Sequence, residues 1–83
     1  MAQLLFFGKL GDLAGGRMRE MPLSTSNITV AQLIAAIGDD DSVLGNALSD
    51  PTVRFIINEQ ICSSDTVISE TDEIAFLPPV SGG

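Results

Sequence analysis

The sequence contains no histidine, tryptophan or tyrosine, and its only cysteine is Cys62. Without histidine, the chain lacks the side chain that most often acts as a general base near neutral pH and most often binds zinc. A single cysteine excludes an internal disulfide and leaves no cysteine cluster for a metal. An independent enzyme is therefore the least favoured class of function, and we expect no metal site and no cofactor.

Basic residues are also scarce, since four Lys and Arg stand against eleven Asp and Glu and the formal net charge is −7. Nucleic acid requires clustered cations, so we expect no nucleic-acid partner and instead expect partner proteins with basic surfaces. No apolar run approaches the roughly 18 residues of a transmembrane helix, and the N-terminus lacks the basic segment and cleavage site of a signal peptide. We expect a cytoplasmic protein with no membrane partner.

Apolar residues make up 45% of the 83 positions, enough for one core. A chain of this size buries about 60–65% of its extended surface, which leaves no room for a deep cleft. Short apolar runs predict strands over 3–7, 17–23, 53–57 and 74–77, with shorter pieces from residue 61 and over 66–68. In the first strand, alternation places Leu4 and Phe6 on one face and Leu5 and Phe7 on the other.

The clearest helix begins after Thr29, which forms a capping box with Gln32. Its apolar residues recur at the spacing of one helix face: Val30, Leu33, Ile34 and Ile37. Gly38 is predicted to end this helix in the left-handed conformation. Asp41 or Ser42 caps a short second helix that runs through Leu48 and is ended by Asp50-Pro51.

Three segments are predicted to be loops. Residues 8–16 form a glycine-rich loop with at most one helical turn, and residues 24–27 form a polar loop. Residues 39–41 are three consecutive aspartates without the alternating ligands and closing glutamate of an EF-hand, so we expect a solvated loop and no cation site.

This element order predicts an α+β fold of the β-grasp (ubiquitin-like) type, a mixed sheet with one main helix packed across it. The last strand is expected to lie beside the first and parallel to it, which satisfies the handedness of crossover connections. We expect the β-grasp domain to span residues 1–77 and a flexible diglycine tail to span residues 78–83. The five residues from Pro79 onward span roughly 17 Å when extended.

Four segments resemble the MoaD family of ubiquitin-like sulfur carriers, the small subunits of molybdopterin synthase: residues 5–8, 29–33, 57–58 and 72–83. The resemblance implies a non-catalytic subunit whose terminal Gly83 is adenylated and converted to a thiocarboxylate. The sulfur then passes to a pterin precursor in molybdenum cofactor biosynthesis. Four further tail residues would thread into the partner's site: Pro78, Pro79, Ser81 and Gly82. The first loop departs from the family, because Gly8 stands where alanine is common.

The same resemblance implies two partners, a ubiquitin-activating-like adenylyltransferase and the large synthase subunit, in a heterotetramer of two small and two large subunits. The sheet face away from the helix should contact them through Phe7, Ile61 and Leu77, although composition alone fits a core position equally well. We expect Cys62 to be a packing residue and not a sulfur donor.

Three alternatives remain open at this point. The chain could be another ubiquitin-like carrier, for thiamine synthesis or tRNA thiolation, or a protein modifier. It could be a plain β-grasp binding module whose diglycine is accidental. The third alternative, an independent enzyme, requires a pocket and catalytic groups that the composition does not offer.

Overall fold

The computed structural model describes residues 1–23 and 27–78. These residues form a five-stranded sheet, a separate pair of short strands and three helices. In chain order the elements are β1 (Ala2–Phe6), α1 (Lys9–Ala14), β2 (Met18–Met21), β3 (Ile28–Thr29), α2 (Val30–Asp40), α3 (Ser42–Leu48), β4 (Arg54–Ile57), β5 (Gln60–Cys62), β6 (Val67–Ile68) and β7 (Glu73–Leu77).

The main sheet has the strand order β2-β1-β7-β4-β5. The first and last strands are parallel neighbours at its centre, and the other pairings in the sheet are antiparallel. The β-grasp prediction is therefore confirmed, including the parallel pairing of β1 with β7. β2 lies at one edge of the main sheet, and the small sheet pairs β3 with β6.

The predicted main helix has the expected start and the expected buried face. The Thr29 hydroxyl accepts a hydrogen bond from the Gln32 N–H at 3.1 Å, and the Thr29 N–H donates to the Gln32 side chain at 2.8 Å. These two bonds satisfy donors that a helix start leaves without intrahelical partners. The buried face of α2 consists of Val30, Leu33, Ile34 and Ile37. It packs in the same core as the inward side chains of β1 and β7.

The predicted end of α2 is wrong, because the helix continues through Gly38 to Asp40. Gly38 instead lies where α2 meets α3, so close that a Cβ added to Gly45 would stand 2.5 Å from the Gly38 Cα. The prediction that residues 39–41 form a loop is also wrong, because Asp39 and Asp40 belong to the last turn of α2. Asp41 caps α3 as predicted, and its carboxylate accepts from the Leu44 N–H at 3.1 Å.

The glycine-rich segment after β1 is more ordered than predicted. Residues 9–14 form α1, which is longer than the single turn expected within a loop. Its anchor is Leu10, which is buried in the core, and Gly15 ends the helix with a φ of +79°. Burial of Leu10 thus stabilises a helix in a segment whose glycine content favours a turn. The predicted polar loop over 24–27 falls mostly outside the described residues.

Candidate functional site: the end of β7 and the outer sheet face

The strand that leads to the C-terminus lies at the centre of the sheet. β7 is paired with β1 on one side and β4 on the other. The buried ring of Phe76 stacks on Phe6, with centroids 5.3 Å apart, and meets the edge of Phe55 at 5.8 Å. Such aromatic pairs contribute about 0.5–1.5 kcal/mol beyond their burial. The chain therefore leaves the fold from a strand that is fixed on both edges and on its inner face.

The strand ends at Leu77, and both Leu77 and Pro78 are half-buried. The Pro78 ring lies against the junction between β1 and α1, at Gly8. The other predicted tail residues lie outside the described residues: Pro79, Ser81, Gly82 and Gly83. The boundary between body and tail and the roles of these residues therefore stay predictions.

The outer face of the sheet, opposite α2, carries a continuous row of apolar side chains. Leu5 pairs with Met18 on one side and with Ala75 on the other. Ala75 pairs with Ile56, which in turn pairs with Ile61. We call these five residues, one from each strand, the apolar row. Its two ends are open to solvent, since Met18 is 57% and Ile61 is 78% exposed.

Two further apolar residues lie between the apolar row and the end of β7. Phe7 is 40% exposed, and its N–H donates to the Phe76 carbonyl at 3.1 Å. Leu77 is half-buried and pairs with Arg54 of β4. Phe7 and Leu77 are thus partly exposed and Ile61 is largely exposed, while the contact of these three residues with a partner stays a prediction.

Sequence reasoning missed four members of this surface: Leu5, Met18, Ile56 and Ala75. Alternation already placed Leu5 on the same face as Phe7, so that signal was available. Met18 and Ile56 could not be found in the same way, because their position beside Leu5 and Ile61 depends on strand register. Register is a property of strand pairing that a single strand does not encode.

Nearly the whole chain matches a known protein family. A model of the ThiS family matches residues 4–83, nearly the entire length. The chain belongs to the ThiS family. This membership agrees with the resemblance to ubiquitin-like sulfur carriers seen in the sequence, and it covers the end of β7, the apolar row and the C-terminal diglycine together.

One curated relative and two solved structures place the chain within this family. The molybdopterin synthase sulfur carrier subunit of Escherichia coli (strain K12) is 30% identical over 83 residues, which is all of both chains. SAMP1 from Haloferax volcanii has a TM-score of 0.81 at 23% identity, covering 99% of this chain and 98% of its own. A Pyrococcus furiosus protein provisionally named molybdopterin converting factor, subunit 1, has a TM-score of 0.79 at 22% identity, with 95% and 97% covered. These two structures support the fold.

The two sides of the apolar row carry charges of opposite sign in this ThiS-family chain. On the side away from the end of β7, Gln3 stands between Glu20 and Glu73 in the strand register. On the opposite side, Arg54 stands beside Leu77. An outer face with an acidic side and a cationic side can orient a partner during encounter.

The inner side of the sheet edge holds a shallow groove of about 560 Å³ between α2, the segment after α3, and strands β4 and β5. Half-buried Cys62 lines it and packs against the core next to Phe55, which agrees with the predicted packing role. Across residues 1–23 and 27–78, no group of three or more acidic or cysteine side chains is placed to hold a metal ion. In the same part of the chain, no helix is long and apolar enough to cross a membrane.

Proposed function

We propose that this chain is the sulfur-carrier subunit of a molybdopterin synthase. The observation that carries the proposal is that the C-terminal diglycine follows, after only four residues, a strand at the centre of the sheet. The 30% sequence identity to the molybdopterin synthase sulfur carrier subunit of Escherichia coli, over the full length of both chains, supports the assignment to molybdopterin synthesis. In this proposal the β-grasp domain is residues 1–77, and residues 78–83 are the tail that carries the reacting group.

The chemistry takes place at the carboxylate of Gly83. A carboxylate is a poor electrophile, so it first attacks the α-phosphorus of ATP, forming an acyl adenylate and releasing pyrophosphate. A sulfur nucleophile then adds to the acyl carbon and expels AMP, which leaves a thiocarboxylate. This sulfur is soft and nucleophilic, as thiolate chemistry requires, and it is then given to a pterin precursor. The carrier needs no base of its own, which agrees with a chain that has no histidine.

The tail can reach a partner's active site, while the sheet face supplies the docking energy. Ordering Gly82 and Gly83 in a narrow channel costs roughly 1–2 kcal/mol each in backbone entropy. Pro78 and Pro79 reduce this cost because their φ angles are already fixed. The apolar row with Phe7 and Leu77 would bury apolar area at about 25 cal/mol per Å², which offsets the remainder.

Two partners follow from this proposal. One is a ubiquitin-activating-like adenylyltransferase, and the other is the large subunit, in a complex of two small and two large subunits. Both would contact the apolar row and receive the tail, and basic groups on them would suit the net charge of −7. We propose a cytoplasmic location, without nucleic-acid or membrane partners.

Intact-mass spectrometry tests the proposal directly. The purified chain is incubated with ATP, a ubiquitin-activating-like adenylyltransferase and a sulfide donor. We expect a mass gain equal to the replacement of one oxygen by sulfur, mapped by fragmentation to Gly83. A chain that lacks Gly83 and a chain with one added residue after it serve as controls, and both should stay unchanged. No gain in the unmodified chain would contradict the carrier role.

Addition of the large subunit and a pterin precursor to the sulfur-loaded chain separates the pathways. We expect the mass to return to that of the carboxylate as the pterin gains sulfur. If the loaded chain keeps its sulfur there but releases it to a thiamine or tRNA-thiolation system, the molybdopterin assignment is wrong. An amide bond between Gly83 and a lysine of another protein would instead indicate a modifier.

A further inference from the structure

Arg54 brings a positive charge to the outer face of the sheet, at the end where β7 finishes. It is exposed and pairs with Leu77 across β4 and β7. Alternation along β4 places it on the same face as Ile56 of the apolar row. Its guanidinium donates to the Pro51 carbonyl at 3.4 Å, longer than the usual range of about 2.7–3.2 Å. This weak bond and the exposure of the side chain leave the guanidinium accessible to a partner.

The other basic side chains lie elsewhere, and all four are among residues 1–23 and 27–78. Arg19 lies on the inner side of the sheet, with its guanidinium 5.8 Å from the centroid of the buried Phe6 ring. Arg17 lines a groove beside α1, and Lys9 belongs to α1, which packs against α3. In the part of the chain that the structure describes, Arg54 is therefore the only basic side chain on the outer face.

The opposite end of the same face is acidic. Glu20 and Glu73 are exposed and flank Gln3 in the strand register. Glu73 and Leu77 are the first and last residues of β7, which separates the acidic end from Arg54 by roughly 13 Å along the strand. This separation exceeds the Debye length of about 8 Å at physiological ionic strength, so the two ends act on different groups of a partner.

We propose that Arg54 is a specificity-determining contact, which pairs with a carboxylate of the adenylyltransferase beside the point where that protein receives the tail. This inference rests on the proposed carrier function. A guanidinium binds a carboxylate through two parallel N–H···O bonds, so the pair fixes orientation as well as position. Basic groups of the same partner, roughly 13 Å away, then face Glu20 and Glu73.

The adenylyltransferase is the partner for which orientation matters most, because the carrier meets it by diffusion in every cycle of loading. Complementary charges raise the rate of such encounters and suppress wrong arrangements. A carrier rotated by half a turn on its sheet face would bring Arg54 against the partner's cations and the two glutamates against its carboxylate. The repulsion at both ends disfavours that arrangement.

The first test compares two charge reversals that change the net charge equally. Arg54→Glu and Lys9→Glu each take the net charge from −7 to −9, but only the first alters the outer face. Sulfur loading is measured at varied carrier concentration with ATP, the adenylyltransferase and sulfide. We expect Arg54→Glu to raise KM by at least about tenfold with kcat changed less than about threefold, and Lys9→Glu to change KM less than about twofold. Equal KM changes, or a loss confined to kcat, would overturn the proposal.

Salt distinguishes a charge contact from a structural effect of the substitution. The loading rates of the unmodified chain and Arg54→Glu are compared at about 0.05 M and about 0.5 M ionic strength. Because screening weakens repulsion between charges, we expect the ratio of their kcat/KM values to shrink by at least about threefold at the higher salt. A ratio that does not depend on salt contradicts the proposed ion pair.

Carbodiimide cross-linking then identifies the group that Arg54 contacts. This reagent condenses an amine with a touching carboxylate into an amide and takes up the water released. Lys9 is the only lysine of the chain, so Arg54→Lys combined with Lys9→Arg moves the lysine to the outer face. We expect mass spectrometry to map an amide between position 54 and an Asp or Glu beside the adenylation site, and none between Lys9 of the unmodified chain and the adenylyltransferase. Absence of the link from position 54, or a link far from the adenylation site, would contradict the inference.

Thermal melting shows whether the variants are folded, and exposure of Arg54 predicts an unchanged melting temperature. If Arg54→Glu does unfold, Arg54→Gln removes the charge without reversing it and should still raise KM by about threefold or more. An unchanged KM in a folded Arg54→Gln chain would overturn the inference. Loading of the unmodified chain keeps the two claims apart. Failure of that loading contradicts the carrier function, whereas normal loading without an Arg54 effect contradicts this inference alone.

Discussion

At the residue scale, Asp50 shows how local hydrogen bonds change the acidity of an exposed side chain. Its carboxylate accepts from the Thr52 hydroxyl at 2.6 Å and from the Thr52 N–H at 2.8 Å. These bonds favour the charged form and lower the pKa of Asp50 below its ordinary value of 3.8, the hydroxyl bond being the larger cause. Because the pKa is lower in the folded chain, the stabilisation is present above pH 3.8 and is lost as the pH falls through the folded-state pKa.

We therefore expect the stability difference between the unmodified chain and Asp50→Asn to be constant above about pH 5 and to shrink in more acidic solution. Urea unfolding at a series of pH values measures this difference. Thr52→Val removes only the hydroxyl donor and should raise the pKa of Asp50 towards 3.8, observed by NMR titration of the carboxyl carbon. An unchanged pKa in Thr52→Val would show that the backbone N–H dominates.

At the element scale, the crossing of α2 and α3 gives a prediction in which two similar glycines behave differently. A Cβ on Gly45 would stand 2.5 Å from the Gly38 Cα and 3.1 Å from its nitrogen, so backbone must move. A Cβ on Gly38 would meet the Gly45 Cα at 3.6 Å, an ordinary contact. We expect Gly45→Ala to destabilise by about 1–3 kcal/mol in urea unfolding. Gly38→Ala should be neutral or stabilise by up to about 1 kcal/mol, because alanine favours the helix. Equal effects would mean that the two helices separate freely.

This crossing also shows what the sequence could predict and what it could not. The start of α2 and its buried face follow from local rules, the Thr29–Gln32 capping box and the spacing of four apolar residues. The end of α2 does not, because glycine is a common local stop and here serves a contact with a helix that comes later in the chain. The same applies to α1, where burial of Leu10 overrides the glycine content, and to the apolar row, whose order depends on strand register.

At the scale of the whole molecule, the proposed docking surface and the proposed reacting end belong to different parts of the chain. The apolar row crosses all five strands of the sheet, while the C-terminal diglycine lies beyond Pro78. If docking depends on the sheet face, a chain that ends at Pro78 should still bind the adenylyltransferase although it cannot react. Since β7 is complete in this shortened chain, we expect its thermal unfolding to match that of the full chain.

A competition experiment tests whether the sheet face binds the adenylyltransferase without the tail. We expect the chain ending at Pro78 to inhibit sulfur loading of the full chain competitively, with an inhibition constant within about tenfold of the KM of the full chain.

Ile61→Asp in the shortened chain should raise that constant by at least about tenfold, because it places a charge in an apolar contact. The matched control is Val43→Asp on α3, which is 62% exposed and lies on the helical side of the sheet, and it should leave inhibition unchanged. Ile61 is 78% exposed, so neither substitution should lower the melting temperature. A folded shortened chain that does not inhibit would show that the tail itself supplies the binding energy, and equal effects of the two aspartates would show that net charge, and not the apolar row, governs docking.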